Sequence, residues 1–168
     1  MTYTASALTR TGFADGSWTG AELDLSELED LDALVDVLRE QAEGAAMSIL
    51  FLDEDDEYVA VVRFDSADDE ARMFVSDRRS LEGTGLAGRQ LGEDVGIEQA
   101  DVTEGEDEDG GRPEVEPGGD PALLADLGVD ANTLLGLCAE EGMLPSDVAF
   151  ALCERLGCAD VLEQVRGV

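Results

Sequence analysis

Two apolar runs, MSILFL over residues 47–52 and YVAVVRF over 58–64, stand on either side of five consecutive acids, Asp53 to Glu57. The second run is β-branched and aromatic, and both have the length of strands rather than helices. So short a connection cannot return the chain to the start of a parallel neighbour, which takes a crossover of about a dozen residues or more. The two runs are therefore antiparallel neighbours. Asp53-Glu54-Asp55-Asp56 is too acidic to bury and makes the turn between them.

The flanking sequence extends this hairpin into a sheet. Residues 3–9 alternate, with Tyr3, Ala5 and Ala7 on one side, and read as a strand. Gly12, Asp15 and Gly16 signal a turn, and residues 17–25, with Trp18 and Leu23, read as the partner strand. Ser26-Glu27-Leu28-Glu29 is a capping box, in which the serine oxygen accepts from the Glu29 backbone and the Glu29 side chain reaches back. Leu28, Leu31, Leu34, Val35 and Leu38 follow at helical spacing, and Gly44 closes the helix. Its opposite face carries Glu29, Asp32, Asp36, Glu40 and Glu43. Residues 66–69 turn, and Ala71 to Ser76 gives one more strand. The order β-β-α-β-β-β predicts an α+β fold, an antiparallel sheet with one main helix on a face. A short helix over 80–91 is opposed by Gly83, Gly85 and Gly88, each costing about 1 kcal/mol against alanine.

Composition shifts at residue 101. Asp101 to Gly119 holds eight acids, five glycines, two prolines and only two large apolar residues. It cannot bury enough surface to offset its ordering entropy, and reads as a self-repelling, disordered linker. The chain thus divides into an α+β domain over 1–100, a linker over 101–119 and a helical mini-domain over 120–168. In the last, Asp120-Pro121 opens a helix that Gly128 ends. Asp130 caps a second, running to about Glu141 with Leu134, Leu135 and Cys138 inward and Gly142 at its end. Pro145 opens a third, with Val148, Leu152 and Leu156 at i, i+4 and i+8, and Gly157 closes it. Residues 159–165 make a fourth. So few residues form a marginal core alone, one that docks on the first domain or on a partner.

The charged residues restrict the chemistry. All ten cations are arginine, histidine is absent, and 41 acids bring the formal charge to −31. The acidity is spread: −17 over 1–100, −7 over 101–119 and −7 over 120–168. Such a surface repels nucleic-acid phosphates and anionic lipid and favours basic partners, although solubility or salt adaptation explains it as well. Without histidine there is no Ser-His-Asp or Cys-His catalysis and no histidine metal site. Without lysine there is no Walker A phosphate loop. Gly83-Thr84-Gly85-Leu86-Ala87-Gly88 spells G-x-G-x-x-G but lacks the strand immediately before it and the βαβ unit around it, so it reads as a loop. Cys138, Cys153 and Cys158 are too few and too widely spaced for a structural zinc site, and read as small buried hydrophobes. Asp53 to Glu57 lacks the alternating ligands and central glycine of a calcium loop. No metal or cofactor is expected. MTYTASALTRTGF has no basic segment leading into an apolar one, and residues 45–52, the longest apolar stretch, fall far short of the roughly 20 a membrane span needs. Three late cysteines and no signal segment fit the cytoplasm.

Residues 137–157, LCAEEGMLPSDVAFALCERLG, place Cys138, Gly142, Val148 and Leu152 where a helix-turn-helix keeps its small, turn and packing residues. The helix that would read DNA then carries Asp147, Glu154 and a single base, Arg155, and recognition helices need donors for base edges. The segment is better read as a protein-docking module, with Leu144 and Phe150 as candidate anchors or as plain core.

Three blocks together resemble a known family: LDLSELEDLDALVDVLRE, then ILFLDEDDEYVAVVRFD with RMFVSDRR, then DPALLADLGVDANTLLGLCAEEGMLPSDVAFALCERLGCADVLE. Their order and spacing are similar to those of the actinobacterial tRNA adenosine deaminase-associated proteins, over nearly the whole chain and most specifically in the last block. The resemblance implies association with the enzyme that makes inosine in tRNA, and supplies no catalytic residues. The deaminase itself needs H-x-E and P-C-x-x-C to hold zinc and move protons; this chain has neither. The reading is a non-catalytic, cytoplasmic accessory protein whose partner is a protein, the deaminase first, with no direct nucleic-acid or membrane binding. Its candidate contacts are Leu144, Phe150, Asp32, Asp36 and Glu40. A nucleic-acid mimic occupying another basic protein, and an enzyme working through carboxylates in a pocket, are the alternatives.

Overall fold

The computed structural model describes residues 3–11, 17–25, 31–54, 58–76, 118–140 and 144–167. The turn at 12–16, the capping box at 26–29, the short helix at 80–91 with its G-x-G-x-x-G, the linker up to residue 117 and Gly142 lie outside them.

A six-stranded antiparallel sheet organises the chain. Its strands are β1 (Tyr3–Arg10), β2 (Trp18–Glu22), β3 (Met47–Glu54), β4 (Tyr58–Asp65), β5 (Glu70–Val75) and β6 (Gly118–Gly119), in the spatial order β2-β1-β3-β4-β5-β6. The fold is α+β, as the element order implies. β2 and β3 both run antiparallel to β1, one on each side, and so run parallel to each other. Joining them requires a crossover, and α1 (Leu31–Gln41) supplies it.

Alternation sorts each strand between two cores. On one side Ala5, Ala7, Leu50, Leu52, Ala60, Val62 and Phe64 pack with Leu34, Leu38 and Ala42 of the α1 region. On the other, Leu8, Ile49, Phe51, Val59, Val61 and Phe74 meet α2 (Ala131–Ala139), α3 (Pro145–Leu156) and α4 (Ala159–Arg166) through Leu134, Val148, Leu152 and Leu162. Both faces of β4 are covered, so every residue from Tyr58 to Phe64 is buried. The segment 120–167, set apart in sequence by the acidic stretch before it, lays its apolar faces on this second side of the sheet.

Three expectations are corrected. Gly118 and Gly119, read as the end of the disordered linker, pair with Val75 and Phe74 as β6. Asp53 does not sit in a turn: it belongs to β3, opposite Val59, and is 8% exposed. Burial is tolerable because Arg166, more than a hundred residues on, donates to its carboxylate at 2.6 Å. The helix expected from Pro121 to Gly128 is only a 3₁₀ turn, Ala125–Leu127. Asp120 donates its N–H to Met73 O at 2.8 Å and accepts from Ala122 N–H at 2.9 Å, which tightens the chain at once. The Leu123 carbonyl, which an α-helix would offer to Leu127, accepts instead from Arg63 at 2.6 Å, and Leu127 bonds Leu124. Asp130 caps α2 as expected, accepting from Thr133 N–H at 2.7 Å.

α4 lies close over the edge strand because Gly20 has no side chain. A Cβ there would fall 2.4 Å from Val165 Cγ2, 2.8 Å from Val161 Cγ1 and 2.9 Å from Leu8 Cδ2. Gly20→Ala is expected to destabilise by about 1–3 kcal/mol through overpacking. Urea unfolding checks this; an unchanged midpoint would mean that α4 does not seat on β2.

Candidate protein-docking surface

The two patches singled out in sequence lie on opposite sides of the sheet. Leu144 is the N-cap of α3; its backbone is extended and its N–H donates to the Asp147 carboxylate at 3.1 Å. With Pro145 buried behind it, the Leu144 side chain points outward and is 48% exposed, the exposed large hydrophobic among the described residues. Phe150, on the same helix, is half-buried against the core, with the Arg166 guanidinium 5.7 Å from its ring centroid. Of the two anchors, Leu144 is available as it stands and Phe150 is partly withdrawn.

Asp32, Asp36 and Glu40 are exposed along α1, on the other face of the sheet. Asp36 is not bare: Arg39 binds it and also donates to Asp69 at 3.0 Å, while stacking 5.3 Å from the Phe64 ring centroid. These pairs are well exposed and contribute little to stability, but they tie α1 to the β4–β5 turn. Layers pack about 10 Å apart, so the α1 face and the α3 face lie too far apart for one small surface to include both.

In the α2–α3 pair, α3 turns one face to the sheet and the other outward. Pro145, Val148, Ala149, Leu152 and Cys153 of α3 are buried, and the helix packs on β3 and β4. Its outer side keeps Asp147, Glu154 and Arg155 exposed, the wrong charge for phosphate.

Two concavities among the described residues are lined by paired charges. One, of about 410 Å³, lies between α1 and the β4–β5 turn and is lined by Arg39, Glu40, Phe64, Ser66 and Asp69 among others. Another, of about 320 Å³, is lined by Met47, Arg63, Asp65, Arg72 and Asp126 among others. There the Arg63 guanidinium, bonded to Asp126, holds that carboxyl below the usual carboxylate value. A carboxyl so held is ionised at neutral pH and cannot serve as a general acid. Burial pushes the Cys138 thiol up to about 12, and the Cys153 thiol is raised by its hydrogen bond to Cys158 and by burial, so neither supplies a thiolate. Among the described residues no three His, Cys, Asp or Glu side chains are placed to hold a metal ion, and no helix is long and apolar enough to cross a membrane.

A family model described as Rv3753c-like tRNA adenosine deaminase-associated protein matches residues 6–159. The chain belongs to this family. No curated protein and no solved structure matches it. The match runs from β1 to the first residue of α4 and so takes in both faces of the sheet. In this deaminase-associated protein, sequence reasoning missed Arg63 and the Asp53–Arg166 pair. Arg63 carried a signal, since a lone guanidinium inside YVAVVRF needs buried acceptors. Asp53 carried none, because its partner is remote in sequence.

Proposed function

We propose that the protein is a non-catalytic, cytoplasmic accessory subunit that binds a tRNA adenosine deaminase. Membership of the deaminase-associated family is the observation that carries this reading. The charge of −31 supports it physically. An enzyme that grips tRNA must present cationic surface to neutralise phosphates, and an anionic protein is complementary to that surface while being repelled by tRNA itself.

Leu144 is the anchor this reading favours, and the α1 acids Asp32, Asp36 and Glu40 steer the encounter. Leu144→Ser is an informative variant, because serine at an N-cap with Asp147 three residues on supports the helix rather than weakening it. Titration of the purified deaminase by calorimetry should show a stoichiometric complex, weakened at least tenfold by Leu144→Ser. Neutralising Asp32, Asp36 and Glu40 together should lower the association rate and flatten its salt dependence. Absence of any complex at low salt would defeat the proposal.

A further inference from the structure

We propose that the outer edge of β2 is a strand-addition site for an extended, basic segment of a partner polypeptide. Backbone geometry shows which groups face outward. Leu23 N–H donates to Ala5 O at 2.9 Å and Thr11 N–H to Ser17 O at 3.0 Å. Both bonds lie one step beyond either end of the β1–β2 ladder and continue its register. Hydrogen-bonded pairs alternate along an antiparallel ladder, so Ser17, Thr19, Ala21 and Leu23 turn their backbone groups to β1. Trp18, Gly20 and Glu22 turn theirs away from the sheet. β2 ends the strand order, and among the described residues nothing pairs with that side.

Natural sheets blunt such edges with short strands, proline, bulges or inward charges. The opposite edge is blunted in this way, since β6 is only Gly118–Gly119. β2 lacks most of these devices: its five residues, WTGAE, pair with β1 without a bulge, contain no proline and carry a single charge, the exposed Glu22. It is also held from above. Val161 and Val165 of α4 rest where a Gly20 side chain would be, so the template is pre-formed and an incoming strand need not order it.

The charges select the occupant. Glu22 is exposed on the strand, and Asp160 and Glu163 are exposed on α4 above it. The nearby cations are engaged: Arg10 is folded over Trp18 with its guanidinium 5.8 Å from the ring centroid, and Arg166 is bonded to Asp53 and Ser6. A second copy of this chain would bring −31 against −31. A strand carrying lysine or arginine on alternate residues meets no such barrier and gains main-chain hydrogen bonds.

The test uses the full chain and a synthetic peptide alternating lysine and valine, and needs no deaminase, so its failure leaves the accessory-subunit reading to its own experiment. Amide exchange by NMR should slow at least tenfold at Trp18, Gly20 and Glu22 when the peptide binds, with Thr19 and Ala21 unchanged. Glu22→Pro removes one outward donor without touching a β1 bond and should abolish binding; Glu22→Gln, which keeps the donor, should retain it. A glutamate-valine peptide and a lysine peptide interrupted by proline should not bind. Equal binding of the proline-interrupted peptide, equal losses in Glu22→Gln and Glu22→Pro, protection elsewhere, concentration-dependent self-pairing of β2 or no binding at all would each overturn the proposal. If Glu22→Pro fails to fold, the exchange pattern and the proline-interrupted peptide still decide it.

Discussion

Asp53→Ala is expected to cost about 3–5 kcal/mol of folding free energy, the usual consequence of leaving one buried charge without its counter-ion. The Asp53 and Arg166 side chains are 11% and 7% exposed, and their polar atoms are 2.6 Å apart. After the substitution Arg166 keeps, among the described residues, the Ser6 hydroxyl at 3.3 Å and the Phe150 ring, neither of which carries negative charge. Against a typical stability of about 5–15 kcal/mol this is a large fraction. Arg166→Met should also destabilise, by taking the Arg166 donor away from the Asp53 carboxylate. Combining the two should recover part of the loss, because removing both partners of a buried pair leaves no stranded charge. Urea unfolding of the four proteins measures the coupling directly. A coupling below about 0.5 kcal/mol would show that α4 is not held to β1 and β3 by this pair.

Arg63→Met is expected to cost about 2–4 kcal/mol and to act locally. Arg63, with its side chain 3% exposed, donates to the Leu123 carbonyl at 2.6 Å, to both Asp126 oxygens at 2.6 and 2.8 Å, and to Asp65 at 3.0 and 3.1 Å. Methionine fills the space but strands a buried carbonyl. Lysine should not rescue the variant, since one ammonium cannot reproduce a planar fork that serves three acceptors. Hydrogen exchange should accelerate first over residues 120–129, which Arg63 ties to the sheet. The effect should also depend on pH. Asp126 titrates below its ordinary 3.8 in the folded protein. Its contribution is therefore complete above 3.8 and is lost as the pH falls below that through the folded value. The gap between wild type and variant should narrow there. A gap that stays constant down to pH 3, or exchange that accelerates uniformly, would contradict this account.

Local patterns were readable wherever the deciding forces were local. The period-2 and period-3.6 patterns placed β1, β3, β4, β5 and α3 within a residue or two and β2 within three, and Asp130 announced the start of α2. Legibility failed where a distant group decided the outcome. An acid run reads as solvent-facing, yet Asp53 is buried because α4 delivers Arg166 to it. Asp120-Pro121 reads as a helix start, yet Arg63 captures the Leu123 carbonyl. The docking candidates were partly legible: exposure of Leu144 fits its place at a helix start, whereas the half-burial of Phe150 depends on where α3 lies on the sheet. Placement of the α1 acids and Leu144 on opposite faces depends on the strand order, which no local pattern encodes.

Val75 faces Gly118 and Phe74 faces Gly119, so the chain leaves the sheet and re-enters it at adjoining rungs. A cut between those rungs would leave two fragments that still share this pairing and the apolar contacts of Leu123, Val148 and Leu152 with the sheet.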